Sequence, residues 1–390
     1  MTSKEHKKHA AIARPNYGNF GRNEWAIIGT PCGAIKALAD EVVSALSANY
    51  KCAYVDAQHA NTDAEAVLPG RLGSGAAAEY TDQINYHQVD FNKELNPFQF
   101  RQLFSDMDLV LVNGNHQQAK AQVVVIDETK KASLQKRLSQ LTNVAMFLLA
   151  DNAAEAFDFV QETIPEWQQV PLYRLNQIDK IVAFFQQQMQ LAKPVLNGLV
   201  LAGGKSLRMG QDKGAMNWHG KEQRYFAADL LQKFCTDVFI SCRAEQQENI
   251  DSNYKTLTDT FTGLGPYGAI LSAFREQPEA AWLVVACDLP LLDQPTLQFL
   301  TEKRNSSAIA TTFKSPHDGF PEPLITIWEP KSYPALLLFL AQGYTCPRKV
   351  LINSEINLLQ PLNPDALQNV NTPEELERVK QVVQNKSTTI

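Results

Sequence analysis

Cysteine is scarce in this chain. Its 390 residues hold six, at positions 32, 52, 235, 242, 287 and 346, and no two form a C-x-x-C pair. That excludes a disulfide scaffold and a structural zinc knuckle, and it predicts reduced thiols in a cytoplasmic protein. Long apolar runs are missing too. No stretch reaches the roughly 18 residues of a membrane span. The opening segment, MTSKEHKKHAAIARPNYGNF, is basic but lacks the apolar centre of a secretory signal. Positive charge is not in excess. Lys and Arg number 36 against 42 Asp and Glu, a net −6, and each half about residue 195 carries 18 basic and 21 acidic residues. Neither half is a basic module, so no nucleic acid and no anionic membrane surface is expected as a partner.

What remains is ordinary globular composition, 44% hydrophobic and 20% charged. At roughly 100–200 residues per domain, the length predicts two domains. Residues 1–24 are polar and read as an irregular arm. Residues 25–29 (WAIIG) read as a buried strand, followed by a helix over 34–47 on the spacing of Ile35, Leu38, Val42, Ala45 and Leu46. Further strands are expected at 53–56, 109–113, 123–127 and 144–149, and helices at 134–141 and 178–191. Residues 57–82 read as a long loop. Pro194 disfavours helix at Lys193, which places a boundary near 190–196 and the two domains at 25–192 and 193–390. The pattern then restarts with a strand at 196–201. Helices follow at 222–234, 266–276, 294–303 and 331–342, and strands at 237–241, 254–258, 282–286, 307–312 and 323–328. Thr372-Pro373-Glu374-Glu375 reads as the capped start of a last helix. Alternating strands and helices predict the α/β class, with two doubly wound, three-layer domains.

The strand at 196–201 runs into Leu201-Ala202-Gly203-Gly204-Lys205-Ser206-Leu207-Arg208-Met209-Gly210-Gln211-Asp212-Lys213-Gly214. Paired glycines put no side chain between backbone and ligand, and successive N–H groups can cradle an anion. Lys205, Arg208 and Lys213 add positive charge where triphosphate oxygens would sit, and Lys221 and Arg224 follow close behind. A tight strand-to-helix turn with solvated charges would look similar, so composition alone leaves phosphate binding at even odds. Asp288 ends the apolar stretch W-L-V-V-A-C-D. Ligands of open α/β sheets bind at carboxyl ends of strands, and magnesium takes one or two carboxylates plus phosphate oxygens. A turn aspartate would occupy the same place. Arg348 and Lys349 could hold an acceptor phosphate or form a solvated helix start. Cys287 reads as a small buried hydrophobe. His317-Asp318-Gly319 and His219-Gly220 read as turns.

The motif L-A-G-G-x-S-x-R-M-G-x-D-K-G resembles the signature loop of molybdenum cofactor guanylyltransferases, and the D-K-G ending is closer to them than to related nucleotidyltransferases. The resemblance runs over about residues 197–385. It takes in Asp259, Gly263-x-Gly265-Pro266-x-Gly268, Val284-Val285-Ala286-Cys287-Asp288-Leu289-Pro290, Pro347-Arg348-Lys349-Val350-Leu351 and Asn369-Val370-Asn371-Thr372-Pro373-Glu374. It implies a Rossmann-like nucleotidyltransferase fold and transfer of GMP from GTP to the terminal phosphate of molybdopterin in the molybdenum cofactor, releasing pyrophosphate. It places Leu201, Ala202, Gly203 and Gly204 around the nucleotide, with Lys213 and Arg208 as its phosphate-side cations. Asp259 lands on a nucleotide-binding aspartate and Asp288 on the carboxylate for Mg2+. Arg348, Lys349, Asn369 and Asn371 fall on the acceptor side. Two places depart from the pattern. Ser241-Cys242-Arg243 stands where the family usually has asparagine before arginine, and Phe320-Pro321-Glu322-Pro323-Leu324 matches only loosely. Two other readings stay open: transfer of another nucleotide (cytidylyl transfer to the same cofactor, or nucleotidyl transfer to a sugar phosphate), and a non-catalytic carrier or chaperone of the cofactor that serves other molybdenum cofactor proteins.

In the first half, residues 29–37 (GTPCGAIKA) occupy a strand–loop–helix context like a P-loop, but Gly-Lys-Ser/Thr is absent. The order WAIIG…AYVDAQHA…DLVLVNGN is similar to the molybdopterin-guanine dinucleotide adaptor GTPase over about residues 24–175, and reads as a degenerate copy fused to its partner. It is expected not to hydrolyse GTP, and to present cofactor or hold a dimer. Asp56, His59 and His116 match no metal-site spacing and read as solvated loop residues.

Overall fold

The computed structural model describes residues 11–58, 68, 70–203 and 213–370, together with 375, 377, 379 and 381. Gly204, Lys205, Arg208, Asn371, His59 and the Thr372 cap lie outside the described residues. The chain divides into two compact units. One holds Tyr17–Ala192; the other holds Lys193–Ile390 and the leading residues up to Asn16.

In the first unit, β1 (Glu24–Ile28), α1 (Cys32–Leu46), β2 (Cys52–Val55), β3 (Ala78–Asp82), β4 (His87–Phe91), α2 (Pro97–Leu103), β5 (Leu109–Asn113), β6 (Ala121–Ile126), α3 (Lys131–Gln135), β7 (Val144–Leu149), α4 (Asp158–Thr163), β8 (Leu172–Arg174) and α5 (Ile178–Leu191) follow in order. Six strands form one parallel sheet in the order β2-β5-β1-β6-β7-β8. Its strands are apolar on both faces because helices cover both. Trp25, Ile27, Val123 and Val125 face α1 and α5, where Ile35, Leu38, Val42, Ile181 and Phe185 pack. Ile28, Val124, Ile126 and Phe147 face the opposite way, toward Leu134 and Val160. The segment before β1 joins this unit: the buried Glu24 carboxylate accepts from the amides of Asn19, Phe20, Gly21 and Lys120 at 2.7–3.0 Å.

One expectation fails here. Residues 57–82 are not all loop, since β3 pairs antiparallel with β4 as a separate hairpin. The hairpin buries little, and Tyr80, Tyr86 and Val89 are exposed. With no buried face, the sequence carries no apolar alternation to reveal it.

The second unit contains β9 (Leu196–Leu201), α6 (Gln223–Leu231), β10 (Val238–Cys242), β11 (Lys255–Thr258), α7 (Pro266–Glu276), β12 (Ala281–Ala286), α8 (Gln294–Glu302), β13 (Ala310–Lys314), β14 (Pro321–Trp328), α9 (Ser332–Ala341), α10 (Pro347–Ile352) and β15 (Asn357–Leu359). Its seven-stranded sheet runs β11-β10-β9-β12-β14-β13-β15, parallel except that β14 is antiparallel to both neighbours. Side chains alternate across it. Val200, Leu283 and Val285 face Ala227, Leu231, Leu297 and Leu300 of α6 and α8. Leu199, Trp282 and Val284 face Ile270, Phe274, Leu336 and Val350 of α7, α9 and α10. The chain leaves β9 for β10 and β11 on one side and returns for β12 on the other. The carboxyl end of β9 is therefore the topological switch point, where a ligand crevice opens in such sheets.

Candidate active site

A cavity of about 280 Å³ lies at that switch point. Leu201, Ala202 and Gly203 leave β9 into it; Ser241 enters from β10, Asp259 from just past β11, and Ala286, Cys287 and Asp288 from the end of β12. Gly265, Pro266 and Ala269 bring in the start of α7, Leu324 comes from β14, and Gly214 closes the wall. Lys213 opens the short turn Lys213–Ala215 and is adjacent in sequence to Gly214. The two ends of the glycine-rich loop, Gly203 and Gly214, thus border the same space as Asp288.

Gly203 lies close to the aspartate: a Cβ there would be 3.1 Å from Asp259 Oδ2, a tight contact to which the carboxylate would have to yield by a few tenths of an ångström. The Ser241 hydroxyl donates to Asp259 Oδ1 at 2.6 Å. Backbone bonds set this register: Ala202 N donates to Ser241 O, and Asp259 N to Cys242 O. Burial pushes the Asp259 carboxyl above the usual carboxylate range, and the Ser241 hydroxyl and Arg243 charge only partly offset it. Arg243 is itself engaged with Glu245 at 2.7 Å and Gln246 at 3.3 Å.

Asp288 sits half-buried at the start of a clamped loop. Its carbonyl accepts from Val370 N at 2.9 Å. The next carbonyl, of Leu289, accepts from Gln223 Nε2 at 3.2 Å, and that of Pro290 is bonded to His219 Nε2 at 2.8 Å. His219 in turn stacks on Phe226, with ring centroids 3.9 Å apart. The Val370 bond brings the exposed Asn369 next to Asp288. Gly220, at φ +79°, makes the predicted turn that carries His219.

The other predicted cations are committed elsewhere. Arg348 donates to Asp318 Oδ2 at 2.6 Å and to Glu322 Oε2 at 3.2 Å. Glu322 lies two residues before Leu324 on β14, on the same face of the sheet. An acceptor phosphate at Arg348 must therefore share the guanidinium with two carboxylates. Lys349 lies 4.9 Å from the Tyr344 ring. Lys221 pairs with Asp229, and Arg224 with Glu222. Among the described residues, no group of three or more His, Cys, Asp or Glu side chains is placed to hold a metal ion. Asp288 offers a hard oxygen donor beside the cavity, and Asp259, held by Ser241, is the second carboxylate among the described lining residues. That fits magnesium, whose remaining ligands are phosphate oxygens and water.

Sequence reasoning assigned no role to Ser241, Ala269 or Leu324. Ser241, part of the Ser241-Cys242-Arg243 departure from the family pattern, orients Asp259. Gly265 and Pro266 were visible in G-x-G-P-x-G without a role; they form the N-cap and first residue of α7, Gly265 at φ +56°.

Residues 198–356 match the MobA-like NTP transferase domain family. A molybdenum cofactor biosynthesis bifunctional protein of Synechocystis is 38% identical over 184 residues, which are 46% of this chain and 52% of that protein. The chain therefore spans about half the length of that relative. A molybdenum cofactor guanylyltransferase of Pseudomonas putida is 27% identical over 194 residues, covering 48% of this chain and 98% of the relative. The crystal structure of molybdopterin-guanine dinucleotide biosynthesis protein A from Archaeoglobus fulgidus is similar at 24% identity and a TM-score of 0.42, covering 48% of this chain and 99% of that one. The second half of the chain, over residues 198–356, carries a MobA-like NTP transferase domain.

Proposed function

We propose that this protein is a nucleotidyltransferase that moves GMP from GTP onto the terminal phosphate of molybdopterin in the molybdenum cofactor and releases pyrophosphate. One observation carries the reading: a single cavity at the switch point gathers Leu201, Ala202 and Gly203 with Asp259 and Asp288. The family match over residues 198–356 and the guanylyltransferase relative support it.

The glycine bend after β9 lets backbone N–H groups reach the nucleotide, and Asp259 Oδ2 beside Gly203 accepts from a donor on the nucleoside. The positive end of the α7 dipole opens at Gly265 and Pro266 on the cavity wall, where it favours phosphate. Lys213 and Arg208 add cationic charge to the phosphates. Asp288 holds Mg2+, which when bound neutralises charge on the pyrophosphate leaving group. The acceptor phosphate is ionised at neutral pH, so the chain needs no general base; it positions the two phosphates and excludes water. Asn369, beside Asp288, and Arg348, with Lys349 and Asn371, receive the acceptor. In the first unit the Thr30 hydroxyl donates to Asp127 Oδ2 at 2.8 Å, and Lys36 pairs with Asp56 at 3.3 Å. With Ala34-Ile35-Lys36 where a P-loop has Gly-Lys-Ser/Thr, the sequence supports a degenerate adaptor-like unit that does not hydrolyse GTP.

The test mixes protein, molybdenum cofactor and Mg2+ with GTP or CTP and reads pyrophosphate. Release with GTP and little with CTP is expected. Release with CTP alone overturns the base assignment. Cofactor binding without release from either nucleotide makes the protein a carrier.

A further inference from the structure

The first unit has its own cluster at the carboxyl ends of its strands, and it uses none of the transferase chemistry. Cys32 is the first residue of α1, the helix that follows β1 at that sheet's switch point. Its Sγ lies 3.4 Å from His116 Nε2 and 3.6 Å from Asn115 Nδ2. Asn115 Nδ2 also donates to Thr30 O at 2.9 Å, which fixes the amide against the thiol. His116 Nε2 lies 3.9 Å from Asp56 Oδ1, and Asp56 is held by Asn113 Nδ2 at 2.8 Å, the Tyr54 hydroxyl at 3.1 Å and Lys36 Nζ at 3.3 Å. His116 is therefore no solvated loop histidine: only 18% of its side chain is exposed, and its Nε2 faces both a thiol and a carboxylate.

We propose that Cys32 and His116 form a thiolate–imidazolium pair that makes Cys32 a site of oxidation by hydroperoxides. Three features act together. The α1 dipole favours negative charge at its first residue. His116 Nε2 and the Asn115 amide face the sulfur, with the Asp56 carboxylate beside the same imidazole. Cys32 is half-buried, so a small oxidant reaches it. Burial pushes the Cys32 thiol up, but hydrogen bonds from Asn113, Asn115 and His116 outweigh it, and the net direction is down. Burial drives other thiols the opposite way, Cys52 to about 11, Cys235 to about 12 and Cys242 to about 11.

The thiolate attacks one peroxide oxygen, forming S–O as O–O breaks. The leaving hydroxide takes the His116 proton. Thiolate, imidazolium and hydrogen peroxide thus become sulfenic acid, neutral imidazole and water, with sulfur oxidised and peroxide reduced by two electrons. Cys52 lies at the opposite end of the sheet, about 15 Å away on strand geometry. No second thiol of the described residues in this unit can trap the product as a disulfide.

The full-length reduced protein is treated with hydrogen peroxide at pH 7 in the presence of a cyclic 1,3-diketone, and adducts are mapped by peptide mass spectrometry. Cys32 should label first, at least tenfold faster than the exposed Cys346. His116→Gln should slow Cys32 about tenfold or more while leaving the Cys346 rate unchanged. Equal rates at Cys32 and Cys346 in the unsubstituted chain overturn the proposal, and that comparison needs no variant. An unchanged Cys32 rate in a folded His116→Gln protein overturns the pairing.

Discussion

Asp288 and Asp259 border one cavity, but their surroundings differ. Asp288 borders the cavity at the head of a loop whose carbonyls are bonded by Val370 N, the Gln223 amide and the His219 ring. Asp288→Ala should lower pyrophosphate release by roughly a hundredfold or more, the scale of losing one electrostatic stabiliser of a transition state. Its melting temperature should stay close to that of the unsubstituted protein; retained magnesium-dependent turnover would remove the metal assignment. Asp259 is pushed up by burial. The unfolded chain therefore ionises at lower pH than the folded one, and ionisation costs stability as pH rises through the folded value. Asp259→Asn removes that cost. Its melting temperature should rise at pH 7 and match the unsubstituted protein near pH 3, while affinity for GTP falls roughly tenfold through loss of a charged acceptor. Calorimetry at both pH values, with nucleotide titration, reads both effects. Asp288 was legible in the sequence because it follows an apolar strand, whereas Asp259 follows Lys-Thr-Leu-Thr and stood out only through the family resemblance. Ser241 was not legible: a serine inside V-F-I-S-C looks like any strand residue, and its role depends on the neighbouring β11.

At the scale of elements, the sequence was most legible where burial is two-sided. The strands β5, β7 and β9 and the helices α5 and α7 lie where their apolar patterns put them. The short α2, α4 and β8 were invisible, having too few residues to establish a period. The helix α7 matters most to the site, since it presents Gly265, Pro266 and Ala269 to the cavity. Its position depends on Gly268, where a Cβ would lie 2.1 Å from Phe261 O. That contact is with backbone, so it cannot be relieved by a rotamer change. Gly268→Ala should push the start of α7 away from the 259–264 loop. Affinity for GTP should fall at least tenfold, with secondary structure retained by circular dichroism. Unaltered affinity would mean that the helix start takes no part in holding phosphate.

For the whole molecule, composition and alternation were enough to read two α/β units, but not the antiparallel β14 within the second sheet. The reason is that strand direction is set by connection geometry rather than by residue type. The return along β14 ends in an ion pair that no local pattern announces. Arg304 Nε donates to Glu329 Oε1 at 2.6 Å and Nη2 to Oε2 at 2.8 Å, while Nη2 also donates to Pro194 O at 2.9 Å. Both side chains are almost wholly buried. One guanidinium thus ties the end of β14 to the segment that enters β9, the strand that opens the cavity. Removing it leaves a buried carboxylate uncompensated, which costs about 3–5 kcal/mol in such settings. Arg304→Met keeps the volume and removes the charge. Hydrogen exchange by mass spectrometry should show protection lost across β9, β12 and β14 and unchanged across β1, β5 and β6, because the substituted residue belongs to the second unit's core alone. Equal loss in both units would show that they unfold as one body. No loss in either would show that Glu329 is accommodated without its partner, as a neutral acid in a site that burial already pushes toward protonation.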